Sequence, residues 1–260
     1  MKSNSGNKIK GYFAKPPKKW ILIYLAVCVL LVFIDPSIGF ICFLLLLIGL
    51  ALLYSYKISD EKFDEILRED LRRLHQIALQ KLRVSESELV STPELILSPT
   101  YWNIGKADFG IKKGRDKKIR YTPVHVALLY FTEHKLCIYQ CALDLTTKNP
   151  LNTSTKKYFY DEIVAVETAS ESITIDEDNI KSKVFRYMPT LKKHISNKKI
   201  QLNSSEYFLL LTRGGNSVKI QLPDINLIDY GVTGTLPRSK ADKAIAAVEA
   251  MIDSKKSIHP

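Results

Sequence analysis

The sequence predicts a helical membrane hairpin followed by a mainly β domain closed by a last helix, and three observations carry that expectation. Two uncharged apolar runs, WILIYLAVCVLLVFI and SIGFICFLLLLIGLALLYSY, stand back to back with only Asp35-Pro36 between them. Short runs rich in Val, Ile, Tyr, Phe and Thr, divided by turn residues, follow from about Leu89. Near the end, KADKAIAAVEAMIDSKK places Ala241, Ala244, Ile245, Val248, Met251 and Ile252 at helical spacing.

Residues 1–19 form a basic tail, with Lys2, Lys8, Lys10, Lys15, Lys18 and Lys19 and no acid. Residues 20–56 are the hairpin, whose side chains are apolar on every face and leave no polar side for water. Asp35-Pro36 breaks the run into two helices. Trp20–Ile34 and Ile38–Tyr54 are short for spans at about 1.5 Å per residue. Two thin transmembrane spans are the expectation, and a shallow re-entrant hairpin is the alternative. Lysines beside a span stay on the cytoplasmic side, and the turn has none. The chain is therefore expected in the inner membrane with both termini cytoplasmic. Trp20, Tyr54 and Tyr56 stand where interfacial aromatics belong. No small-x-small cleavage site precedes the turn, which argues against a removed signal peptide.

Residues 57–84 read as a membrane-proximal amphipathic helix with Phe63, Leu67, Leu71, Leu74, Ala78 and Leu82 on one stripe, acids early and bases late. Residues 85–260 form the cytoplasmic domain, with a charged insert at 168–205. Its strand-like runs are ELILSPTYWNIG, IRYTPVHVALLYFT, KLCIYQCALDL, KKYFYDEIVAVET, SITI, EYFLLLTRG and SVKIQL, with turns at Glu133-His134, Lys148-Asn149-Pro150 and Gly214-Gly215-Asn216. Six or seven closely spaced strands predict an antiparallel sandwich or barrel, and the last helix is placed to cap it.

VALLYFTEHKLCIYQCALDL resembles the opening hairpin of bacterial pleckstrin-homology-like domains, YFYDEIVAVET resembles their strand of aromatic, acidic, isoleucine and valine-glutamate pattern, and FLLLTRGGNSVKIQL is similar to their late hairpin. The likeness covers about residues 121–253. It implies a pleckstrin-homology-like antiparallel barrel with a C-terminal capping helix, behind a two-span hairpin as in several bacterial members.

The chain carries a formal net charge of +11. Such a surplus suits an anionic lipid surface and, on charge alone, nucleic acid almost equally. Two stretches concentrate it. KADFGIKKGRDKKIR supplies Lys112, Lys113, Arg115, Lys117, Lys118 and Arg120, and KSKVFRYMPTLKKHISNKK supplies Lys192, Lys193, Lys198 and Lys199. These ten residues are the candidate anionic-surface site. The acidic segment SESITIDEDNI reads as an exposed interaction loop, since it lacks the turn glycine and distal glutamate of a calcium loop.

No catalytic motif is present. Gly110 to Arg115 has the wrong glycine spacing and ending for a phosphate loop, and neither Gly-x-Ser-x-Gly nor His-Glu-x-x-His occurs. His75, His125, His134, His194 and His259 are scattered. Cys28 and Cys42 lie in the hairpin and Cys137 and Cys141 in one strand, a pattern of buried thiols and not of a zinc cluster. No cofactor or metal is implied. The expected function is that of a membrane-anchored, non-enzymatic recognition module binding anionic membrane lipid or a membrane protein. A second copy is an open alternative as partner, and nucleic acid is not expected. A structural subunit of a larger membrane complex, or an enzyme with no recognisable motif, is the alternative function.

Overall fold

The computed structural model describes residues 3–14, 18–55, 58–100, 104–105, 107–176, 184, 188, 195–196, 199–223 and 238–256. They form two compact units, 1–66 and 67–260, with the boundary inside one helix.

The first unit holds α1 (Ser3–Phe13), α2 (Lys18–Ile34), α3 (Pro36–Ser55) and the start of α4 (Asp60–Leu82). Asp35 begins α3 in the manner of a cap, its Oδ1 accepting from the amides of Ser37 at 2.8 Å and Ile38 at 3.4 Å. Pro36 takes the first helical position, where its missing amide proton costs nothing. Gly39 lets α2 and α3 touch, since a Cβ there would lie 2.3 Å from Val32 Cγ2.

The transmembrane hairpin is not supported: among the described residues no helix is long and apolar enough to cross a membrane. An antiparallel pair crosses only if both arms do. At about 1.5 Å per residue, the 17 residues of α2 reach about 26 Å against a hydrocarbon core of about 30 Å, and Lys18 and Lys19 occupy its first turn. The two-span inner-membrane location and the cytoplasmic placement of both termini lose their basis with it.

Part of the basic tail is helical. Ile9, Tyr12 and Phe13 of α1 are buried, at the spacing that puts side chains on one helix face. Tyr12 and Phe13 pack on Phe63 of α4, with ring centroids 4.8 and 5.6 Å away, and the Tyr12 hydroxyl donates to Asp60 at 2.7 Å.

The second unit is built from antiparallel strands. Its strands are β1 (Glu94–Pro99), β2 (Gly110–Lys113), β3 (Ile119–Thr122), β4 (Val124–Phe131), β5 (Lys135–Asp144), β6 (Asn149–Phe159), β7 (Ile163–Asp176), β8 (Ile195–Ser196), β9 (Lys199–Thr212) and β10 (Ser217–Gln221). One sheet runs β1-β4-β5-β6, a second runs β10-β9-β7 with β8 paired to β9, and β2-β3 form a separate ribbon. The core contains Ala127, Leu129 and Phe131 of β4, Leu136 and Ile138 of β5, Phe208 and Leu210 of β9, and Val218 and Ile220 of β10. Alternation places these on one face of each strand. The last helix, α5 (Arg238–Lys256), contributes Ala241, Ala244, Ile245, Val248 and Ile252 to the same core.

The first sheet is covered on its other face as well. There His75 Nδ1 of α4 lies 3.1 Å from the Tyr130 hydroxyl. Farther along, Lys148 Nζ stands 3.4 Å from the buried Asp70 carboxylate, and the Arg73 guanidinium donates to the Lys148 carbonyl. Burial pushes the Asp70 pKa up, and Lys148 pulls against that shift. Asp144 holds the β5–β6 turn by accepting from the Thr146 amide and the Thr146 and Thr147 hydroxyls at 2.7 to 2.9 Å. The strand therefore resumes at Asn149, where the sequence reading placed a turn.

The charged insert also differs from its sequence reading. Ile173 pairs with Leu202, Thr174 with Gln201, Ile175 with Ile200 and Asp176 with Lys199, so the acidic segment through Asp176 is strand and not loop. Its remainder, with Glu177 and Asp178, lies outside the described residues. The Ser-Ile-Thr-Ile alternation has the strand period, which extends the ladder past the core.

Val248 is fully buried against this core. Val248→Asp is expected to lower the unfolding free energy of the whole chain by at least about 3 kcal/mol, by placing an unpaired charge in the interior. Ala246→Asp, on the exposed face of the same helix, is expected to stay within about 0.5 kcal/mol of the parent. Urea unfolding of both variants measures the difference.

Candidate functional site

The first basic run is the β2-β3 ribbon. Lys112 pairs with Arg120 and Lys113 with Ile119 across it. The Gly114 amide donates to the Lys118 carbonyl at 2.8 Å, and the Lys117 amide to the Gly114 carbonyl at 3.2 Å. Lys117 completes the turn at φ +65. A left-handed residue after a tight turn matches the twist of the two strands. A lysine there accepts about 1 kcal/mol of strain that glycine would avoid.

Asp116 organises the tip. Its carboxylate accepts both guanidinium nitrogens of Arg120 at 2.9 and 3.0 Å, together with the Lys118 amide at 3.2 Å. Hydrogen bonding from Arg120 holds the Asp116 pKa far below the ordinary carboxylate value. Arg120 is 5 % exposed, so this member of the candidate set is a structural cation inside the ribbon. Lys113, Arg115, Lys117 and Lys118 lie at the tip as exposed side chains, with the Lys118 ammonium 3.7 Å from the Asp116 carboxylate. Lys112 is half-buried on β2.

The base of the ribbon is fixed. Thr122, 1 % exposed, accepts the Leu145 amide on its hydroxyl at 3.2 Å, joining β3 to the β5–β6 turn. A cis Thr122-Pro123 bond leads directly into β4. The second basic run contributes only Lys199 among the described residues, exposed and in register with Asp176. Lys192, Lys193 and Lys198 lie outside them. The structure therefore brings four of the ten candidates together at one tip.

No family model matches the chain, and no curated protein or solved structure matches it. The resemblance to pleckstrin-homology-like domains accordingly rests on the residues quoted for it.

Groups capable of other chemistry are built into the fold. Ser98, fully buried, lies 3.4 Å from Nδ1 of His125. Burial depresses the His125 pKa to about 4, against a hydrogen bond from the ring to Gln140 that favours the charged form. Among the described residues no three His, Cys, Asp or Glu side chains gather as a metal site. All four cysteines are free thiols. Sequence reasoning missed the role of Asp116, although the signal is present: an aspartate in a turn, four residues before an arginine.

His125 should make stability depend on pH. Its depressed pKa means the unfolded chain binds the extra proton first, so stability is full above about 6.5 and falls by on the order of 2–3 kcal/mol as pH drops toward 4. Denaturant titrations across that interval should show this loss, and His125→Gln should reduce it. Thiol labelling gives a second expectation. Burial pushes Cys141 up to about 12 and raises Cys137 as well, so at pH 8 the native chain should leave both unlabelled by a disulfide reagent that needs the thiolate. Labelling in denaturant should recover both.

Proposed function

We propose that the chain is a non-enzymatic recognition module whose β2-β3 tip engages the headgroups of anionic lipid. The observation that carries this reading is the tip itself. Four exposed cations, Lys113, Arg115, Lys117 and Lys118, project from one turn whose single acid is bound by Arg120 and, at 3.7 Å, by the Lys118 ammonium. Asp116 is shared between Arg120 and Lys118, so it offsets only part of the charge facing an anionic surface. The cationic cradle made by Arg120 and the Lys118 amide is already filled by Asp116, which supports attraction to a charged surface over capture of a single phosphate in a closed site. The resemblance to pleckstrin-homology-like domains belongs to the same proposal.

Attraction of this kind weakens as salt shortens the Debye length from about 10 Å at 0.1 M to about 3 Å at 1 M. Cosedimentation of the full chain with anionic vesicles is expected to exceed that with neutral vesicles at low salt, and the difference should vanish at high salt. Replacing Lys117 and Lys118 together by Glu is expected to reduce the anionic increment by at least about tenfold. An unchanged increment in that variant, with unchanged melting, would overturn the reading.

A further inference from the structure

The α2-α3 hairpin belongs to the other unit of the chain and has a different chemistry. We propose that it is a hydrocarbon-binding element, in which lipid acyl chains occupy the groove between its helices and coat its outer faces within one leaflet. The groove encloses about 320 Å³ and is lined by Leu25, Cys28, Val29 and Val32 of α2 and Gly39, Phe40 and Phe43 of α3, the Cys28 thiol being its one heteroatom-bearing side chain. No polar side chain interrupts that lining.

The outer faces name the occupant. Leu22, Ile23, Tyr24 and Leu25 are 66, 54, 41 and 41 % exposed. At 3.6 residues per turn, four consecutive positions point in every direction around the axis. A protein partner, including a second copy, covers one face of about 800 Å² and edges it with a polar rim. Between Trp20 and Ser55 the only charged residue is Asp35, and its carboxylate is engaged with the amides that open α3. A single docked face would leave the remaining apolar directions in water, whereas hydrocarbon covers them all. The length of α2 restricts the hairpin to entering one leaflet, which requires no crossing.

Cys42 offers a test in the full chain without substitution, because it is half-exposed on α3 while Cys28, Cys137 and Cys141 are buried. A nitroxide on Cys42, and in a second preparation on Ser37→Cys at the turn in a chain also carrying Cys42→Ser, is read by collision with oxygen and with a water-soluble nickel chelate. The chain is reconstituted in neutral phosphatidylcholine vesicles. Oxygen access with loss of chelate access at both positions, equal at low and high salt, is the expected result. Because the lipid is neutral, this outcome is independent of whether the cationic tip binds headgroups. Chelate reaching Cys42, or failure of the chain to remain with the vesicles, overturns the proposal. So does chelate reaching Ser37→Cys from the vesicle lumen, which would mean crossing. Chelate exclusion in lipid-free buffer with strong spin coupling between chains would assign the faces to a second copy and overturn it equally. Melting of the unlabelled Ser37→Cys, Cys42→Ser double variant at the parent temperature shows that the second preparation is folded.

Discussion

Two-sided burial of the β4-β5 hairpin is the constraint from which the second unit follows. One face of each strand enters the core shared with β9, β10 and α5, while α4 lies over the other at Tyr130. A sheet dry on both faces must satisfy every backbone group within its own ladder, and the uninterrupted pairing of Val124–Phe131 with Leu136–Leu143 does so. It also forces the neighbouring loops to be tied down. Asp144 closes the β5–β6 turn from within, Asp70 and Arg73 grip that turn from α4, and Thr122 fixes the ribbon to it. The ribbon that carries the cationic tip is thus tied at its base to this sheet.

Few polar groups are admitted into this interior, and two of their atoms, Asp70 Oδ2 and the Tyr139 hydroxyl, are buried without a hydrogen-bond partner among the described residues. Asp70 is 2 % exposed on a helix face that otherwise reads as apolar. Its partner Lys148 reaches it because the turn residue takes a left-handed conformation, φ +62. Removing either member would strand the other, so the pair fixes how α4 sits on the sheet more than it adds to stability.

How much of this was legible in the sequence depends on whether a pattern repeats. The spacing of Ala241, Ala244, Ile245, Val248 and Ile252 marks α5, and the apolar runs of β4 and β5 mark buried strands. The β9-β10 hairpin shows in Arg213–Asn216, where Gly215 takes φ +76. Gly110–Lys113 is too short and charged to reveal β2, and Asn149–Phe159 is largely polar because β6 is mostly exposed and sends only Tyr158 against the core. Which cation of the first run turns inward is a matter of register, and composition contains no register: Arg120 and Lys118 are alike until the ribbon is paired. Hydropathy of the hairpin was plain from the residues, but the reach of its shorter arm decided against a span.

The exposure of β6 has a consequence for how the sheet ends. A terminal strand offers a row of unpaired amides and carbonyls onto which another chain can add, and such growth is the root of many aggregates. β6 is poorly suited to that. Pro150 removes one donor near its start, Lys156 and Lys157 place charge along it, and Lys156 Nζ is drawn to the Ser217 carbonyl at 3.1 Å. Left-handed Asn152, at a break in register with β5, further disturbs the regular spacing a newcomer would need. A strand that looks undistinguished in sequence thereby disfavours growth of the sheet at that edge.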